Sequence, residues 1–394
     1  MIYREKYLSE IRGFYHSDLI KIITGVRRCG KSLVLEQIRE ELARETDNLV
    51  SLDFDDRMAT SEIESWQDIV RHVQQHRNDG LCYVFLDEVQ EIDGWAQACR
   101  ALRRENCSVF ITGSNSKLLS REFTQELSGR YVAFRIRPFV YQELQEYARQ
   151  LNRECSVTDY LVWGGFPKRL EFATLQEQRR YLSDLNETIV TNDLINRYSI
   201  RKRDEFRKVA NFILISNSRI YSAKSIADHM RGNGIDITPN TVQKWIGYLE
   251  SAYIIDEVPR YSQKAKKELE LSRKTYDCDV SMNSIRCKDN RYYLTHNLEN
   301  IVYNELVYRG YTVSVYDNHG REIDFLAEKD LKKIYIQVAY SVVDEKTWNR
   351  EFSAFSGVPG YDRKVIITHD DVDYSTSAVQ HIRFSDFLQD LSLP

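Results

Sequence analysis

The sequence predicts an α/β protein in which a parallel sheet is followed by helical segments and then by a second α/β region. Three observations support this prediction. An apolar run, a glycine-rich loop and a helical pattern follow one another over residues 19–45. Two further buried strands are expected at 82–87 and 108–112, and strand-like runs return between helices in 297–394. Strands that alternate with helices are typical of sheets covered by helices.

Length and composition are those of a folded protein with two or three domains. The chain has 394 residues, of which 42% are hydrophobic and 29% charged, whereas a disordered chain carries far fewer apolar groups. Its 55 basic and 59 acidic residues give a net charge of −4. Any contact with nucleic acid must therefore come from a local basic patch.

Cysteine usage and hydropathy favour a cytoplasmic protein. The seven cysteines are scattered without a C-x-x-C pair, which favours reduced thiols and predicts no zinc site. No apolar run reaches the ~18 residues that a transmembrane helix needs, and residues 1–18 lack the apolar stretch of a signal peptide. We therefore expect a cytoplasmic location and no membrane partner.

The first motif is a glycine-rich loop between a strand and a helix. Residues 25–32, GVRRCGKS, fit the pattern G-x-x-x-x-G-K-[ST]. Its backbone N–H groups and the following helix N-terminus can surround a phosphate chain, while Lys31 neutralises the β- and γ-phosphates and Ser32 binds magnesium. The candidate nucleotide-binding residues of this loop are Gly25, Val26, Arg27, Arg28, Cys29, Gly30, Lys31, Ser32 and Leu33.

Two more strands end in polar residues that suit phosphate chemistry. The run CYVFLDEVQ ends its strand with Asp87, a candidate magnesium ligand, and Glu88, a candidate general base; the alternative is that both only cap the strand. The strand at 108–112 leads to Ser114 and Asn115, which are candidates for sensing the γ-phosphate. Parallel sheets bind ligands at the carboxyl ends of their strands, so these residues are expected to converge.

These motifs resemble those of the AAA+ superfamily of ATPases, with Walker A at 25–32, Walker B at 83–88 and a sensor-1 strand at 108–115. The chain is similar to a widespread group of bacterial and archaeal ATP-binding proteins that join an AAA+ module to a winged helix and a nuclease-like domain. Group-like signatures are LSGR at 127–130, PFVYQEL at 138–144 and GGFP at 164–167.

The resemblance implies an ATP hydrolase that uses ATP and Mg²⁺ and forms a homo-oligomer. It also implies a catalytic role for Arg130, which resembles the arginine that such ATPases offer to a nucleotide, often across a subunit boundary. The alternative is a solvated or structurally paired arginine.

We predict five successive segments. They are an AAA+ ATPase core at 1–137, a helical lid and connector at 138–203, a winged helix-turn-helix at 204–262, a basic linker at 263–296, and a degenerate PD-(D/E)xK nuclease-like domain at 297–394.

The winged helix is predicted from three helical stripes followed by a strand at 253–258. The third helix starts at Thr238-Pro239 and presents Asn240, Gln243 and Lys244 on one face, as a recognition helix would. A basic segment follows, and it adds the candidate phosphate contacts Arg260, Lys264, Lys266 and Lys267. The alternatives are a protein-interaction module and an ordinary solvated face.

The element order after residue 297 resembles the PD-(D/E)xK nuclease fold. By that resemblance Asp324 matches the first metal-binding acid and Glu305 the helix glutamate. Gln337 replaces the second acid and Ala339 replaces the lysine, so we expect a degenerate site without nuclease activity. Lys346 is an alternative lysine, and the alternative role of Asp324 is an ion pair with Arg321.

Three functions remain open from the sequence. The first is an ATPase that binds or remodels DNA, with branched DNA in recombination or repair as the substrate suggested by resemblance. The second is a regulatory NTPase switch that acts on protein partners. The third is a nuclease gated by ATP.

Overall fold

The computed structural model describes most of the chain. The described residues are 2–56, 58, 60–114, 127, 129–261, 273–318, 321–390 and 392. They form two compact units, of which the first comprises 1–138 with 251–253 and the second 139–250 with 254–394. None of the helices in these ranges is both long and apolar enough to cross a membrane.

The first unit contains a sheet of five parallel strands in the order β2-β3-β4-β1-β5. Its strands are β1 (Ile20–Thr24), β2 (Leu49–Asp53), β3 (Cys82–Asp87), β4 (Cys107–Gly113) and β5 (Tyr131–Arg135). Its helices are α1 (Glu5–Arg12), α2 (Lys31–Leu42), α3 (Trp66–His76) and α4 (Trp95–Arg104), with a 3₁₀ turn at Val89–Glu91. The predicted α/β fold with a parallel sheet is confirmed.

Burial explains why the central strands read as continuous apolar runs. Every residue of β1 and β4 is buried, because helices cover both faces of a parallel sheet. Helix α3 carries instead an amphipathic pattern, and it starts with a capping box between Ser65 and Asp68. In the strand order β1 lies between β4 and β5, and the phosphate loop follows it at its carboxyl end.

Lys21 is a charged residue inside this core. It is fully buried in β1, donates hydrogen bonds to Ser108 Oγ at 2.6 Å and to the Ser17 carbonyl at 3.2 Å, and lies 4.4 Å from the Phe110 ring centroid. Burial lowers the pKa of Lys21 to about 7. The folded protein therefore favours the neutral amine at a pH where the unfolded chain still binds the proton.

Replacing Lys21 by methionine is expected to change how stability depends on pH. Between pH 7 and the ordinary lysine pKa, the unfolded wild-type chain binds one more proton, so its stability rises by up to about 1.4 kcal/mol per pH unit from this group. Lys21→Met lacks this slope, so its stability relative to wild type is greatest at pH 7 and declines towards pH 9. Urea unfolding at pH 7, 8 and 9 measures the difference, and equal slopes would contradict the assignment.

The second unit begins with helices. They are α5 (Tyr141–Gln150), α6 (Val157–Trp163), α7 (Leu175–Thr188), α8 (Arg203–Ile215), α9 (Ala223–Gly232) and α10 (Pro239–Ser251), with a 3₁₀ turn at Pro167–Glu171 and a π-helix at Ile189–Asn196. Strand β6 (Ile255–Val258) follows α10 in the chain and pairs antiparallel with β8 (Lys274–Asp277). Three helices and β6 thus lie within 204–262, the part of the chain predicted as a winged helix, whereas β8 lies in the segment predicted as a basic linker.

A six-stranded mixed sheet completes this unit in the order β13-β12-β11-β10-β9-β7. Its strands are β7 (Arg260–Tyr261), β9 (Thr312–Asn318), β10 (Arg321–Lys329), β11 (Lys332–Ala339), β12 (Arg363–Thr368) and β13 (Gln380–Arg383). The helices are α11 (Ser281–Ser284), α12 (Leu294–Tyr308), α13 (Glu345–Ser353) and α14 (Phe384–Gln389). Strands β9, β10 and β11 are antiparallel neighbours, whereas β11, β12 and β13 are parallel.

The segment predicted as a basic linker at 263–296 differs from that expectation. Residues 262–272 lie outside the described residues, but Lys274–Asp277 is a fully buried strand and α11 follows it. The reason is that the charge pattern of this segment does not reveal the carboxylates that neutralise its lysine in the folded unit.

Candidate functional site

The phosphate loop adopts the backbone that its glycines permit. Gly25 has φ +147°, and an added Cβ would lie 2.2 Å from the Ile136 carbonyl oxygen. Gly30 has φ +99°, a left-handed conformation directly before α2 begins at Lys31. Successive N–H groups of such a loop and of a helix N-terminus form a concave site for anions.

The remaining loop residues differ in exposure. Val26 and Cys29 are buried, and the Cys29 thiol lies 3.3 Å from the Ile136 carbonyl oxygen. Burial raises the pKa of Cys29, so this thiol is a packing group rather than a reactive thiolate. Arg28 is exposed, while Arg27 and Leu33 are half-buried.

Lys31 and Glu88 meet at the carboxyl ends of β1 and β3. Lys31 is 4% exposed, and its Nζ lies 3.4 Å from Glu88 Oε1 and 3.4 Å from the Val26 carbonyl oxygen. Burial alone would raise the pKa of Glu88, but the Lys31 ammonium and a hydrogen bond from Gln90 lower it below its usual value. Glu88 is therefore ionised at neutral pH, which a general base requires.

Thr112 connects the two acidic residues. Glu88 has a left-handed backbone at φ +49°, and its N–H donates to Thr112 Oγ1 at 2.9 Å. The same hydroxyl donates to Asp87 Oδ1. Asp87 also accepts a hydrogen bond from Ser32, and burial raises its pKa. Thr112 thus holds both acidic residues at the carboxyl end of β3, a role that its position in the sequence does not indicate.

Ser114 and Asn115 had been expected next to these groups. Ser114 is 1% exposed at the end of β4, and its Oγ has no hydrogen-bond partner among the described residues. A buried hydroxyl without a partner is costly unless a further group binds it. Asn115 lies outside the described residues.

The site fits a nucleotide with magnesium. The hydrogen-bonded pair of Ser32 and Asp87 supplies a hydroxyl and a carboxylate oxygen, which are ligands that Mg²⁺ prefers. The left-handed loop, the ammonium of Lys31 and the unpartnered hydroxyl of Ser114 suit phosphate oxygens. We therefore regard this edge of the first sheet as the candidate functional site.

Arg130 lies far from the phosphate loop of its own chain. Its carbonyl accepts the Ile20 N–H at 3.0 Å at the start of β1, whereas the loop follows Thr24 at the other end. Five strand residues span ~16 Å. The side chain of Arg130 is exposed. Arg135, in register with Thr24, is the β5 arginine at the loop end of the sheet.

The candidate recognition helix, α10, has the expected two faces. Asn240, Gln243 and Lys244 are exposed. Its opposite face is buried through Val242, Trp245, Ile246 and Leu249. The Thr238 hydroxyl accepts the Thr241 N–H at 3.3 Å, as an N-cap does. Polar side chains of this helix are thus available to a partner.

The predicted basic patch needs a correction. Arg260 is only 15% exposed, and its Nη2 lies 3.5 Å from Glu322 Oε2 and 3.9 Å from Asp317 Oδ1. Since these ion pairs join the Arg260 side chain to β9 and β10 of its own six-stranded sheet, Arg260 is not a surface phosphate contact. Lys264, Lys266 and Lys267 lie outside the described residues.

A buried charge cluster joins β8, α12 and β10. The Lys274 Nζ lies 2.6 Å from Glu299 Oε1, 3.0 Å from Glu322 Oε1 and 3.2 Å from Asp324 Oδ1. Burial alone would lower the pKa of Lys274, but the three carboxylates raise it above its usual value. Burial raises the pKa of Glu299 to about 8. Lys274 therefore stays charged, whereas burial opposes the ionisation of Glu299.

The helix carboxylate of this cluster is Glu299 and not the predicted Glu305. Glu305 accepts the Tyr141 N–H at 3.3 Å and lies 3.5 Å from Arg309 Nη2. Two side chains six residues apart on a helix point about 120° apart around its axis. Glu299 and Glu305 therefore lie in different surroundings. The assignment of Glu305 came from the resemblance to the nuclease fold, and the sequence alone does not show which face of α12 turns towards Asp324.

Asp324 and Gln337 are neighbours on β10 and β11. The Asp324 N–H donates to Gln337 Oε1 at 3.2 Å, and Asp324 Oδ2 accepts the Val338 N–H at 2.9 Å. The Gln337 amide donates to Glu351 Oε2 at 2.6 Å. In the described part of the chain, no three His, Cys, Asp or Glu side chains are grouped so that they could hold a metal ion.

Comparison with known proteins defines the class of the first unit. Residues 17–145 match a family model described as an AAA domain. The Walker-type ATPase of Pyrococcus abyssi shares the fold with a TM-score of 0.51 and 15% identity, over 73% of this chain and 96% of that one. The first unit is thus an AAA-type domain with a P-loop ATPase fold.

The relatives extend over nearly the whole chain. An uncharacterized protein of Haemophilus influenzae is 30% identical over 355 residues, which are 87% of this chain and 88% of the relative. The chain belongs to the family of this Haemophilus influenzae protein. An uncharacterized protein of Methanocaldococcus jannaschii is 28% identical, over 85% of this chain and 78% of that protein. Residues 155–287 match a model described as a domain of unknown function, DUF8612.

Proposed function

We propose that the chain is a Mg²⁺-dependent ATPase that couples ATP hydrolysis at the phosphate loop to the binding or remodelling of DNA. The observation that carries the ATPase part is the meeting of Lys31, Glu88 and Asp87 at the carboxyl ends of the strands. A phosphate-binding cation, a base and a magnesium ligand in one place are what phosphoryl transfer to water needs.

Each residue has a distinct role in this proposal. Lys31 binds the β- and γ-phosphates, and in doing so it exchanges its contact with Glu88 for the phosphate oxygens. Glu88 then orients the attacking water and accepts its proton, while Thr112 holds the Glu88 backbone in place. Ser32 and Asp87 hold the magnesium ion, which neutralises charge on the phosphates. Ser114 donates its free hydroxyl to the γ-phosphate.

Arg130 supports a homo-oligomer in this proposal. It lies at the amino end of β5 with an exposed side chain, so its own phosphate loop is out of reach. A role in stabilising the transferred phosphoryl group then requires a second copy of the chain, whose loop receives Arg130 across the interface.

The DNA part of the proposal rests on helix α10. Its exposed Asn240, Gln243 and Lys244 suit base edges and phosphates, and the three-helix arrangement before β6 suits a winged helix. Branched DNA is the form we favour. The alternative is a protein partner, and one observation favours it: Arg260 and Lys274 are occupied by carboxylates of their own unit, which reduces the basic surface.

ATP turnover in the presence of single-stranded, duplex and four-way-junction DNA tests this proposal. We expect one DNA form to stimulate turnover and Glu88→Gln to lack it. Combined alanine substitution of Asn240, Gln243 and Lys244 should weaken DNA affinity at least about tenfold and leave basal turnover intact. Lys332→Ala, which replaces an exposed lysine of β11, serves as the control. Turnover that no DNA form changes would contradict the DNA role and favour the protein partner.

A further inference from the structure

We propose that Arg4 is a positioning residue that holds the phosphate loop in its binding conformation. The inference rests on the proposed nucleotide binding at this loop and adds a residue that none of the loop motifs contains. Arg4 precedes α1 in the chain and is fully buried, 21 residues before Gly25.

The guanidinium of Arg4 joins the loop to the segment behind it. Its Nη1 donates to the Cys29 carbonyl at 3.0 Å and to the Arg137 carbonyl at 3.0 Å. The same nitrogen lies 3.5 Å from the position of a Cβ added to Gly30. One charged donor thus fixes the last turn of the loop against the chain that continues from β5.

The contact with Cys29 sets the direction of a phosphate-binding N–H. In a trans peptide the carbonyl and the following N–H point in opposite directions, and no cis peptide occurs among the described residues. When Arg4 binds the Cys29 carbonyl, the Gly30 N–H points away from Arg4 and towards the concave side of the loop. Without this donor, the peptide plane between Cys29 and Gly30 can rotate, because Gly30 has a left-handed φ and no side chain that restricts it.

Arg4 is itself held firmly in place. Its backbone N–H donates to Gln37 Oε1 at 3.1 Å, and the Gln37 amide donates to the Ile2 carbonyl at 2.6 Å. The guanidinium lies 4.6 Å from the Tyr7 ring centroid, and the Tyr7 hydroxyl accepts the Arg137 N–H at 3.1 Å. Since Gln37 belongs to α2, which starts at Lys31, these contacts tie Arg4 to both sides of the loop.

The charge of Arg4 adds to its geometric role. A buried cation is favourable only where dipoles or anions compensate it, and here two carbonyl oxygens are turned towards it. An anionic phosphate chain on the other side of the loop gains further attraction, because the surroundings are of low polarity. The loss of Arg4 is therefore expected to act on phosphate binding more than on the chemical step.

The test compares Arg4→Met, Arg4→Lys and Arg12→Met in the full chain. Arg12 lies on α1 and pairs with Glu5 and Glu41, so its variant reproduces the loss of an arginine near the same helix. Equilibrium ATP affinity is measured in each, together with KM and kcat, and folding is checked by circular dichroism. We expect Arg4→Met to lower ATP affinity at least about tenfold and to raise KM more than it lowers kcat.

The conservative variant and the control decide between positioning and general structure. Arg4→Lys should recover part of the affinity, because an ammonium can still donate to the Cys29 carbonyl. Arg12→Met should bind ATP as the wild type does. If Arg4→Met fails to fold, Arg4→Lys is used for the test instead. The inference then requires that Arg4→Lys binds ATP more weakly than both the wild type and Arg12→Met.

Wild-type affinity in a folded Arg4→Met, or in Arg4→Lys where only that variant folds, would overturn the inference and leave the proposed ATPase intact. An equal loss in Arg12→Met would overturn it as well. A folded wild-type protein that binds no ATP would instead overturn the proposed function, and the inference with it.

Discussion

Lys31→Ala is expected to lower ATP affinity at least about 100-fold, which corresponds to about 3 kcal/mol. The ammonium of Lys31 is 4% exposed at the phosphate loop, with Glu88 as its ion-pair partner. The substitution removes the cation that phosphate oxygens would bind, and it leaves the negatively charged Glu88 beside them without its ion-pair partner. Both effects oppose the binding of a triphosphate.

Equilibrium titration with a fluorescent ATP analogue measures this effect. Lys6→Ala is the matched control, because Lys6 forms an exposed ion pair with Glu10 on α1 and should leave affinity unchanged. Circular dichroism checks that each variant is folded. Wild-type affinity in Lys31→Ala would show that nucleotide phosphates do not bind at this loop.

Lys274→Met is expected to destabilise the protein by about 3–5 kcal/mol, as breaking a buried ion pair does. The substitution leaves Glu299, Glu322 and Asp324 around an apolar side chain. These carboxylates then repel one another, or bind protons at a cost, in a site that water scarcely reaches. The methionine has a similar length, so the lost charge, rather than a cavity, dominates the change.

Urea unfolding of the full chain compares this variant with Lys333→Met. Lys333 on β11 is 46% exposed, and its Nζ lies 2.9 Å from Oε1 of Glu328 on the neighbouring β10. The loss of this exposed ion pair should lower the free energy of unfolding by less than about 1 kcal/mol. Adding Glu299→Gln to Lys274→Met should restore part of the stability, since one buried charge is removed. If Lys274→Met and Lys333→Met unfold alike, the cluster does not stabilise the fold as described.

The sequence was sufficient to predict those features of the fold and the site that depend on contiguous residues. The glycine-rich loop is contiguous with its flanking strand and helix, and Asp87 and Glu88 are adjacent at the end of β3. The structure brings these two segments together through Lys31 and Glu88. The contribution of Thr112 depends on β3 and β4 being neighbours in the sheet, which residue spacing does not state.

Long-range electrostatics explain the other differences. Lys274 sits in a basic run that suggests a solvated surface, yet it is buried because carboxylates from α12 and β10 surround it. Arg4 is equally unremarkable in the sequence, since its partners at Cys29 and Arg137 come from distant segments. Predicting Glu299 would have required knowing which face of α12 turns towards the sheet.

The measurement that tests the central claim most directly is steady-state ATP hydrolysis by the purified wild-type chain with Mg²⁺, with Glu88→Gln prepared in parallel. The account predicts turnover by the wild type and at least about 100-fold slower turnover by Glu88→Gln, which should still bind ATP. Equal turnover in the two proteins would contradict it. So would a folded wild type that binds ATP but does not hydrolyse it, either with or without DNA.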